Sequence, residues 1–286
     1  MLIDAHHHLW QYNPRDYVWM TGSMSALRRD YLIPDLRTVM RESGAEATVA
    51  VQARQTIEET QWLLDLAEQN PFLLGVVGWV PLCAPDVASD LERFARNSKL
   101  KGVRHVLHDE SDDFYMLRDD FSRGVGLLSS FNLVYDILIF ERHLPQTLRF
   151  VDRHPNQVFV VDHIAKPKIR ENSLSPWKKN IEELAKYDNV YCKVSGMATE
   201  AEWGASTAGQ LQPYFDVVLS AFGSARLMFG SDWPVLTLAS TYKKWVDTFR
   251  VLITELSSDE QEDICWRTAR RAYNLSEPLR AVSLAF

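Results

Sequence analysis

Short apolar runs recur along the chain, and each is followed by a segment with the mixed polar and apolar pattern of a helix. Runs of six to eight residues rich in valine, leucine and isoleucine are typical of parallel strands that are covered on both faces. The predicted strands span residues 3–8, 47–53, 73–80, 102–107, 133–140, 158–164, 190–195 and 227–232. The predicted helices span residues 33–43, 56–69, 86–96, 115–130, 144–153, 176–187, 208–222 and 242–256.

Eight strand–helix units in 286 residues predict an α/β fold, a (β/α)8 TIM barrel that forms a single domain over residues 1–286. A doubly wound open sheet is the alternative. Its dinucleotide-binding versions have a glycine-rich turn after the first strand, whereas this chain has three histidines there. Residues 10–30 form a long aromatic loop, of a kind that is often functional, and residues 277–286 form a predicted surface extension.

Composition and charge narrow the choice of partner and compartment. The net charge is −7 and the pI is near 5.6, which argues against a nucleic-acid or anionic-membrane surface, because such a surface needs a basic stripe. The sequence shows neither a secretory leader nor an apolar run long enough to cross a bilayer. Its three cysteines do not form a disulfide framework. We therefore expect a cytoplasmic protein with a small-molecule partner, and these features also allow a homo-oligomer.

The active site is expected where the strands end, because TIM barrels build it at the carboxyl ends of their strands. By the two-residue alternation of a strand, His6 and His8 share one face with Leu2 and Asp4. His7 then lies on the other face and packs toward the helices. Since neutral imidazole is the most common protein ligand of divalent metals, His6 and His8 form a candidate metal-binding pair.

Two further strand ends complete this candidate metal site. His163 ends the sixth predicted strand and Asp232 ends the eighth, so both reach the same barrel mouth as the two histidines. Three imidazoles and one carboxylate suit zinc and leave a position for water. Asp162 falls on the opposite face of its strand and is expected to support a ligand or to cap a helix. The alternative is that His163 is a structural histidine and Asp232 a helix cap.

Three segments carry a resemblance to a known family: Asp4-Ala5-His6-His7-His8, residues 162–167 (DHIAKP) and residues 229–234 (FGSDWP). They resemble the amidohydrolase superfamily, and within it the amidohydrolase 2 branch. That branch includes sugar-acid lactonases, both L-fuconolactonase-like and L-rhamnonolactonase-like, and 2-pyrone-4,6-dicarboxylate lactonase. Residues 102–105 (GVRH) and 108–110 (HDE) resemble the sugar-lactonase members in particular. The resemblance extends from residue 1 to about residue 275.

The resemblance implies a metal-binding or catalytic role for four residues: His6, His8, His163 and Asp232. It also implies that Asp232 handles the proton of the attacking water. Binuclear members carry a carboxylated lysine at strand four and histidines at strands five and six, whereas this chain has Arg104 and Asp136 at the first two positions. We therefore expect at most one divalent metal, zinc by preference, with metal-independent activity as the alternative.

The predicted reaction is hydrolysis of a lactone ester, with Asp232 as general base and His163 as the second catalytic residue. A metal, or else Arg104 or His163, would stabilise the oxyanion. A polyhydroxylated substrate needs polar groups and flat apolar faces. The predicted substrate-binding residues are Arg104, His108, Lys193, Gln52, Trp79 and Trp233, with Asp136, Trp10 and Trp203 as further candidates. The alternatives are that Arg104 and Lys193 pair with buried carboxylates and that the tryptophans are core residues.

Three other functions fit the same residues. Two cations near the site also suit a dicarboxylate lactone, and Arg104 could bind the carboxylate of a substrate in a metal-dependent decarboxylase. Lactone hydrolysis releases acid and decarboxylation releases carbon dioxide, so product analysis separates them. A non-catalytic binding protein is the third alternative, and it predicts that no activity depends on Asp232.

Overall fold

The computed structural model describes residues 1–276, and the predicted extension at residues 277–286 lies outside them. Eight parallel strands form one sheet in the order of the sequence. Each strand lies within one of the predicted strands or is displaced from it by about two residues. The strands are β1 (Ile3–His7), β2 (Ala47–Val51), β3 (Leu73–Gly78), β4 (Leu100–His105), β5 (Val134–Ile137), β6 (Phe159–Val161), β7 (Val190–Val194) and β8 (Leu227–Phe229).

The first and last strands meet and close the sheet into a barrel. The Asp232 amide donates a hydrogen bond to the His6 carbonyl oxygen at 2.8 Å. On the outer side of this seam, the buried Asp4 carboxylate accepts hydrogen bonds from the Ser231 amide at 2.8 Å and the Ser231 hydroxyl at 2.6 Å. It also accepts one from the Tyr242 hydroxyl at 2.9 Å. The structure confirms the TIM barrel and excludes the open sheet.

Helices surround the barrel. They are α1 (Ile33–Ser43), α2 (Ile57–Gln69), α3 (Val87–Ala95), α4 (Asp119–Leu128), α5 (Leu144–Asp152), α6 (Trp177–Leu184), α7 (Met197–Glu200), α8 (Ala208–Phe222), α9 (Tyr242–Leu252), α10 (Ser258–Glu262) and α11 (Thr268–Ala272). The predicted helix over 115–130 is divided, because Arg118 is extended at φ −61° and ψ 142° between a 3-10 turn and α4. Through residue 276, no helix combines the length and apolar character that a bilayer crossing requires.

The sequence prediction missed the C-terminal helical segment that runs from α10 through a π-helical turn at Asp263–Arg267 to α11. A capping box formed by Ser257 and Glu260 starts this segment, and that four-residue signal is visible in the sequence. Tyr273, which follows α11, packs in one buried cluster with Ile3 at the start of β1. The segment therefore covers the N-terminal end of the barrel, opposite the strand ends that carry the candidate site.

A bulge in β1 decides which histidines face the barrel interior. Ile3 and Ala5 pack in the interior cluster, but the pairing of β1 with β2 shifts register between Asp4 and His7. His7 consequently points outward, with Nε2 3.0 Å from the Thr48 hydroxyl. The prediction that Asp4 shares a face with His6 is wrong, because the extra residue of a bulge reverses the alternation.

Candidate active site

The ends of β1, β6 and β8 bring three histidines around one carboxylate. Asp232 Oδ1 lies 3.4 Å from His8 Nε2, 3.8 Å from His6 Nε2 and 3.8 Å from His163 Nε2. His6 Nε2 and His8 Nε2 are 3.3 Å apart. Each of the four side chains is at least nine-tenths buried. The structure therefore brings together the four residues predicted to form the metal or catalytic site.

Contacts at Nδ1 orient two of these imidazoles. His8 Nδ1 lies 2.8 Å from the Val51 carbonyl oxygen, which can only accept, so the proton of His8 is on Nδ1. His163 Nδ1 lies 2.8 Å from the Ser195 hydroxyl oxygen. With Nδ1 engaged, Nε2 of each ring points toward Asp232. Fixing the tautomer of a histidine through its second nitrogen is typical of metal sites.

A buried ionic network contacts the Nδ1 atom of His6. Asp162 Oδ1 lies 3.2 Å from His6 Nδ1, and the same carboxylate accepts a hydrogen bond from Arg104 at 3.0 Å and forms an ion pair with Lys193 at 2.9 Å. Lys193 Nζ also donates to Asp136 Oδ2 at 2.5 Å. Two carboxylates therefore balance two cations within this network. Lys193 Nζ also lies 3.1 Å from His6 Nδ1, and Arg104 lies 3.3 Å from His6 Nε2, which faces Asp232.

The electrostatics of the site fit a divalent cation. Burial lowers the pKa of His6 and of His163 well below the usual range, so both imidazoles are neutral and can act as ligands. Burial opposes ionisation of Asp232, but its contacts with His163 and His8 outweigh this effect and hold its pKa below the usual value. Asp232 is therefore an anion outside the balanced network. Ligand atoms of His6, His8 and Asp232 lie within 4.8 Å of one another, close enough to hold one metal ion.

A left-handed turn after β6 carries His163 into the site. Residues 163–166 have φ values of 55°, 47°, 61° and 48°, and the Lys166 amide donates to the His163 carbonyl oxygen at 2.8 Å. The left-handed conformation is unfavourable by roughly 1–2 kcal/mol for each residue other than glycine. Gly196 packs against the turn, and a Cβ there would lie 2.7 Å from the His163 ring. The turn therefore requires a glycine beside it.

The strand-alternation argument assigned the two faces of β6 incorrectly. Val160 packs in the interior cluster, so Asp162, two residues later, also faces the interior and reaches His6. His163 reaches the site through the left-handed turn and not through the alternation of a strand. The strand ends at Val161, three residues earlier than predicted, which is why the alternation does not extend to His163.

A cavity of about 580 Å³ opens at the carboxyl ends of the strands. Five of the predicted site residues line it: His8, Arg104, His108, His163 and Asp232. His6 lies behind this lining, where it contacts Asp232 and Asp162. Residues that the sequence did not single out as site residues also line the cavity, among them Asp16, Trp19, Arg54, Phe140 and Lys166.

Four residues predicted to bind substrate lie outside the cavity lining. Gln52 and Lys193 are completely buried, so neither presents a surface to a ligand. Trp79 Nε1 donates to His105 Nδ1 at 3.3 Å. Trp233 is 2% exposed and borders a different groove. Gln52 instead accepts a hydrogen bond from the Arg104 guanidinium through its carbonyl oxygen, so its contact with the cavity is indirect.

Comparison with known proteins identifies the family. The amidohydrolase family profile matches residues 3–275. This chain belongs to the amidohydrolase family. It is 40% identical over 296 residues to a protein named L-fucono-1,5-lactonase from Burkholderia multivorans, with 98% of each chain covered. A crystal structure of an amidohydrolase from Burkholderia multivorans with bound zinc matches with a TM-score of 0.93 at 39% identity, covering 96% of this chain and 100% of that one.

A third relative of this amidohydrolase is more distant. It is an L-rhamnono-gamma-lactonase from Scheffersomyces stipitis, 26% identical over 200 residues, which cover 62% of this chain and 59% of the relative. These findings confirm the predicted family. They also confirm the prediction that the chain is an enzyme and a hydrolase.

A second group of possible metal ligands lies beside the first. Ligand atoms of His6, Asp162 and His163 also lie within 4.8 Å of one another. However, Asp162 already accepts a hydrogen bond from Arg104 and forms an ion pair with Lys193. Two fixed positive charges beside a carboxylate oppose the approach of a further cation.

Two loops form the outer wall of the cavity. Asp16 lies on the aromatic loop and forms a 2.8 Å ion pair with Arg54, which follows β2. Beneath them, the Glu59 carboxylate of α2 accepts hydrogen bonds from the amides of Ala53 and Arg54 at 3.0 and 2.6 Å. The unusual length of the aromatic loop is a sequence signal for function, but no sequence pattern pairs Asp16 with Arg54.

The burial of Glu59 predicts a pH-dependent stability. Burial raises its pKa from 4.5 to about 7, so the folded protein keeps this proton where the unfolded chain has lost it. The free energy of unfolding is therefore expected to fall by about 3 kcal/mol as the pH rises from about 4.5 to 7. Glu59→Gln keeps the acceptor oxygen and should flatten this slope. Urea unfolding at pH 5 and pH 8 measures it, and equal slopes for both proteins would contradict the prediction.

Proposed function

We propose that this amidohydrolase opens the ring of a sugar-acid lactone, of the L-fuconolactone and L-rhamnonolactone class. The observation that carries the proposal is the ionised Asp232 carboxylate at the floor of a cavity lined by polar groups. Relatives named L-fucono-1,5-lactonase and L-rhamnono-gamma-lactonase support the same class of substrate.

Asp232 is the general base in the proposed reaction. It removes a proton from a water molecule while the water oxygen forms a bond to the ring carbonyl carbon. The ring C–O bond then breaks, and the proton returns from Asp232 to the departing ring oxygen. The product is one hydroxy acid, which loses a proton to solvent at neutral pH. One lactone and one water are consumed, and Asp232 is regenerated.

The residues that would hold a zinc ion are His6, His8, His163 and Asp232. Zinc bound there would act as a Lewis acid toward the lactone carbonyl. The chain itself prepares the site, because Val51, Ser195 and Asp162 engage the Nδ1 atoms and turn the Nε2 atoms inward. Zinc is bound in the related Burkholderia multivorans structure, which supports this choice of metal.

Substrate recognition combines polar groups with flat apolar faces. Arg104 and His108 line the cavity, and the His108 ring stacks on Phe140 with ring centroids 4.8 Å apart. Trp19 provides a second aromatic face on the outer wall. Sugar rings pack on such faces through their C–H groups while their hydroxyls bond to the polar side chains. Lys193 contributes through Asp162, which it holds in place.

A lactone screen with metal analysis on the same sample tests the proposal. Sugar-acid lactones should be turned over faster than γ-butyrolactone, because only they can use the polar lining of the cavity. Acid should be released without carbon dioxide, and elemental analysis should give at most one equivalent of divalent metal per chain. A ranking with γ-butyrolactone first would refute the substrate class, and two equivalents of metal would refute the single-metal site.

We also propose that residues 1–286 form one domain and that the protein works in the cytoplasm. The cysteines at positions 83, 192 and 265 are free thiols, which fits a reducing compartment.

A further inference from the structure

Lys166 enters the cavity from the same left-handed turn that positions His163. The turn places these two residues, three apart, at the cavity lining beside Asp232. Burial has the largest effect on the pKa of His163 and of Asp232, and the ammonium charge of Lys166 is a smaller effect that lowers both. Burial lowers the pKa of His108, and the charge of Lys166 lowers it further. Lys166 is thus a cation in electrostatic reach of three polar groups that border the cavity.

The other two cations of the cavity lining are each held by several contacts. Arg104 contacts Asp162, His6 and the Gln52 carbonyl oxygen. Arg54 is paired with Asp16 at 2.8 Å. Within residues 1–276 the buried Nε atoms of both guanidiniums have no hydrogen-bond partner, but each group is fixed by two or more polar contacts, whereas the Lys166 ammonium has one.

Lys166 has unused bonding capacity. Across residues 1–276, Glu200 at 3.3 Å is the single hydrogen-bond partner of its ammonium group, which carries three donors. The Lys166 and Glu200 side chains are 17% and 23% exposed, so water can reach the pair and it can exchange partners. Phe140 lies beneath the ammonium, with its ring centroid 5.7 Å from Nζ.

We propose that Lys166 binds the carboxylate that ring opening creates, and that Glu200 competes for the same ammonium when the cavity is empty. The proposal rests on the lactone hydrolysis proposed above. The substrate carries a neutral ester, whereas the product carries a carboxylate in the same part of the molecule. A cation free to make charge-assisted hydrogen bonds therefore favours the product and the negative charge that develops before it.

Lys168 provides a matched control. It lies two residues from Lys166, has the same side chain and is paired with Glu141 at 3.3 Å. Its side chain is 55% exposed and does not line the cavity. A change in net charge or in the stability of this segment would affect Lys166→Met and Lys168→Met alike, whereas loss of a carboxylate-binding group would affect Lys166→Met alone.

The experiment measures binding of sodium L-fuconate, the ring-opened acid, by calorimetry, with the neutral polyol L-fucitol as the uncharged comparison. Lys166→Met is expected to weaken L-fuconate binding by roughly 10- to 100-fold, the loss of one charge-assisted hydrogen bond. L-fucitol binding should be unchanged, and so should both affinities in Lys168→Met. Glu200→Gln removes the competitor and should tighten L-fuconate binding. If Lys166→Met does not fold, Lys166→Arg and Glu200→Gln test the proposal instead, because both variants keep the cation.

Two results would overturn the assignment. One is wild-type affinity for L-fuconate in folded Lys166→Met, and the other is an equal loss of L-fuconate and L-fucitol. Failure of the lactonase proposal is recognised separately. In that case the wild-type protein hydrolyses no lactone in the screen, while the Lys166-dependent preference for the carboxylate persists.

Discussion

Asp232→Asn is expected to lower kcat by about 10²–10⁴-fold, the usual effect of losing a general base. Asparagine has the same shape as aspartate but cannot accept the proton of the attacking water. Asp232 has φ 59°, a left-handed conformation that asparagine also tolerates. Its carboxylate lies at the mouth of the barrel and not in the packed core, so the variant should still fold, and active-site residues are often kept at some cost in stability. The melting temperature should therefore be unchanged or raised.

The alternative role of Asp232 as a helix cap predicts the opposite result, because asparagine caps a helix as well as aspartate does. Among residues 1–276, no backbone amide donates to the Asp232 carboxylate, which argues against a cap. Asp247→Asn, an exposed aspartate of α9, is the control for loss of one carboxylate. Turnover at the wild-type rate by a folded Asp232→Asn protein would defeat the proposed mechanism.

Lys193→Met should be the most destabilising of these changes. The lysine is completely buried, and it joins Asp136 and Asp162 at the centre of the barrel. Removing one partner of a buried ion pair leaves uncompensated charge and typically lowers the free energy of unfolding by about 3–5 kcal/mol. Tyr273 donates to Asp136 at 2.8 Å but carries no charge to replace the ammonium. Denaturant unfolding of the purified protein measures the loss.

Two control variants distinguish loss of charge from loss of packing as the cause of the lower stability. Lys243→Met removes a lysine that is 58% exposed and paired with Asp247 one helical turn away, and it should change stability by less than about 1 kcal/mol. The double variant Lys193→Met with Asp136→Asn should recover part of the loss, because Asp162 keeps its hydrogen bond with Arg104. No recovery in the double variant would show that lost packing, and not charge, explains the effect.

The barrel and the identity of the clustered residues could be predicted from the sequence, because both depend on repeating patterns. Apolar runs mark the strands, and polar residues at their ends mark the mouth. The side-chain directions could not be predicted in the same way. His6 faces inward because of a bulge, and His163 because of a left-handed turn. Neither feature leaves a signature in a single sequence, since each depends on contacts with other strands.

The substrate-binding residues were harder to predict for a related reason. Lys193 and Gln52 are polar residues at strand positions, so they resemble ligand-binding groups, yet Lys193 pairs with Asp136 and the Gln52 amide nitrogen donates to the Arg104 carbonyl oxygen inside the barrel. Trp19 and Arg54 line the cavity from loops, whose placement follows no periodic rule. Lys166 lies in a segment that the sequence did single out, but its direction depends on the left-handed turn that no propensity rule anticipates.

The closed seam has a consequence for synthesis of the protein. His6 belongs to the first strand and Asp232 follows the last, and the hydrogen bond between Ser231 and the His6 carbonyl spans 225 positions of sequence. While the ribosome is still producing β8, a nascent chain can pair its earlier strands but cannot assemble the site. Catalytic activity should therefore appear only after the chain is nearly complete, which makes turnover a direct reporter of the last step of barrel closure.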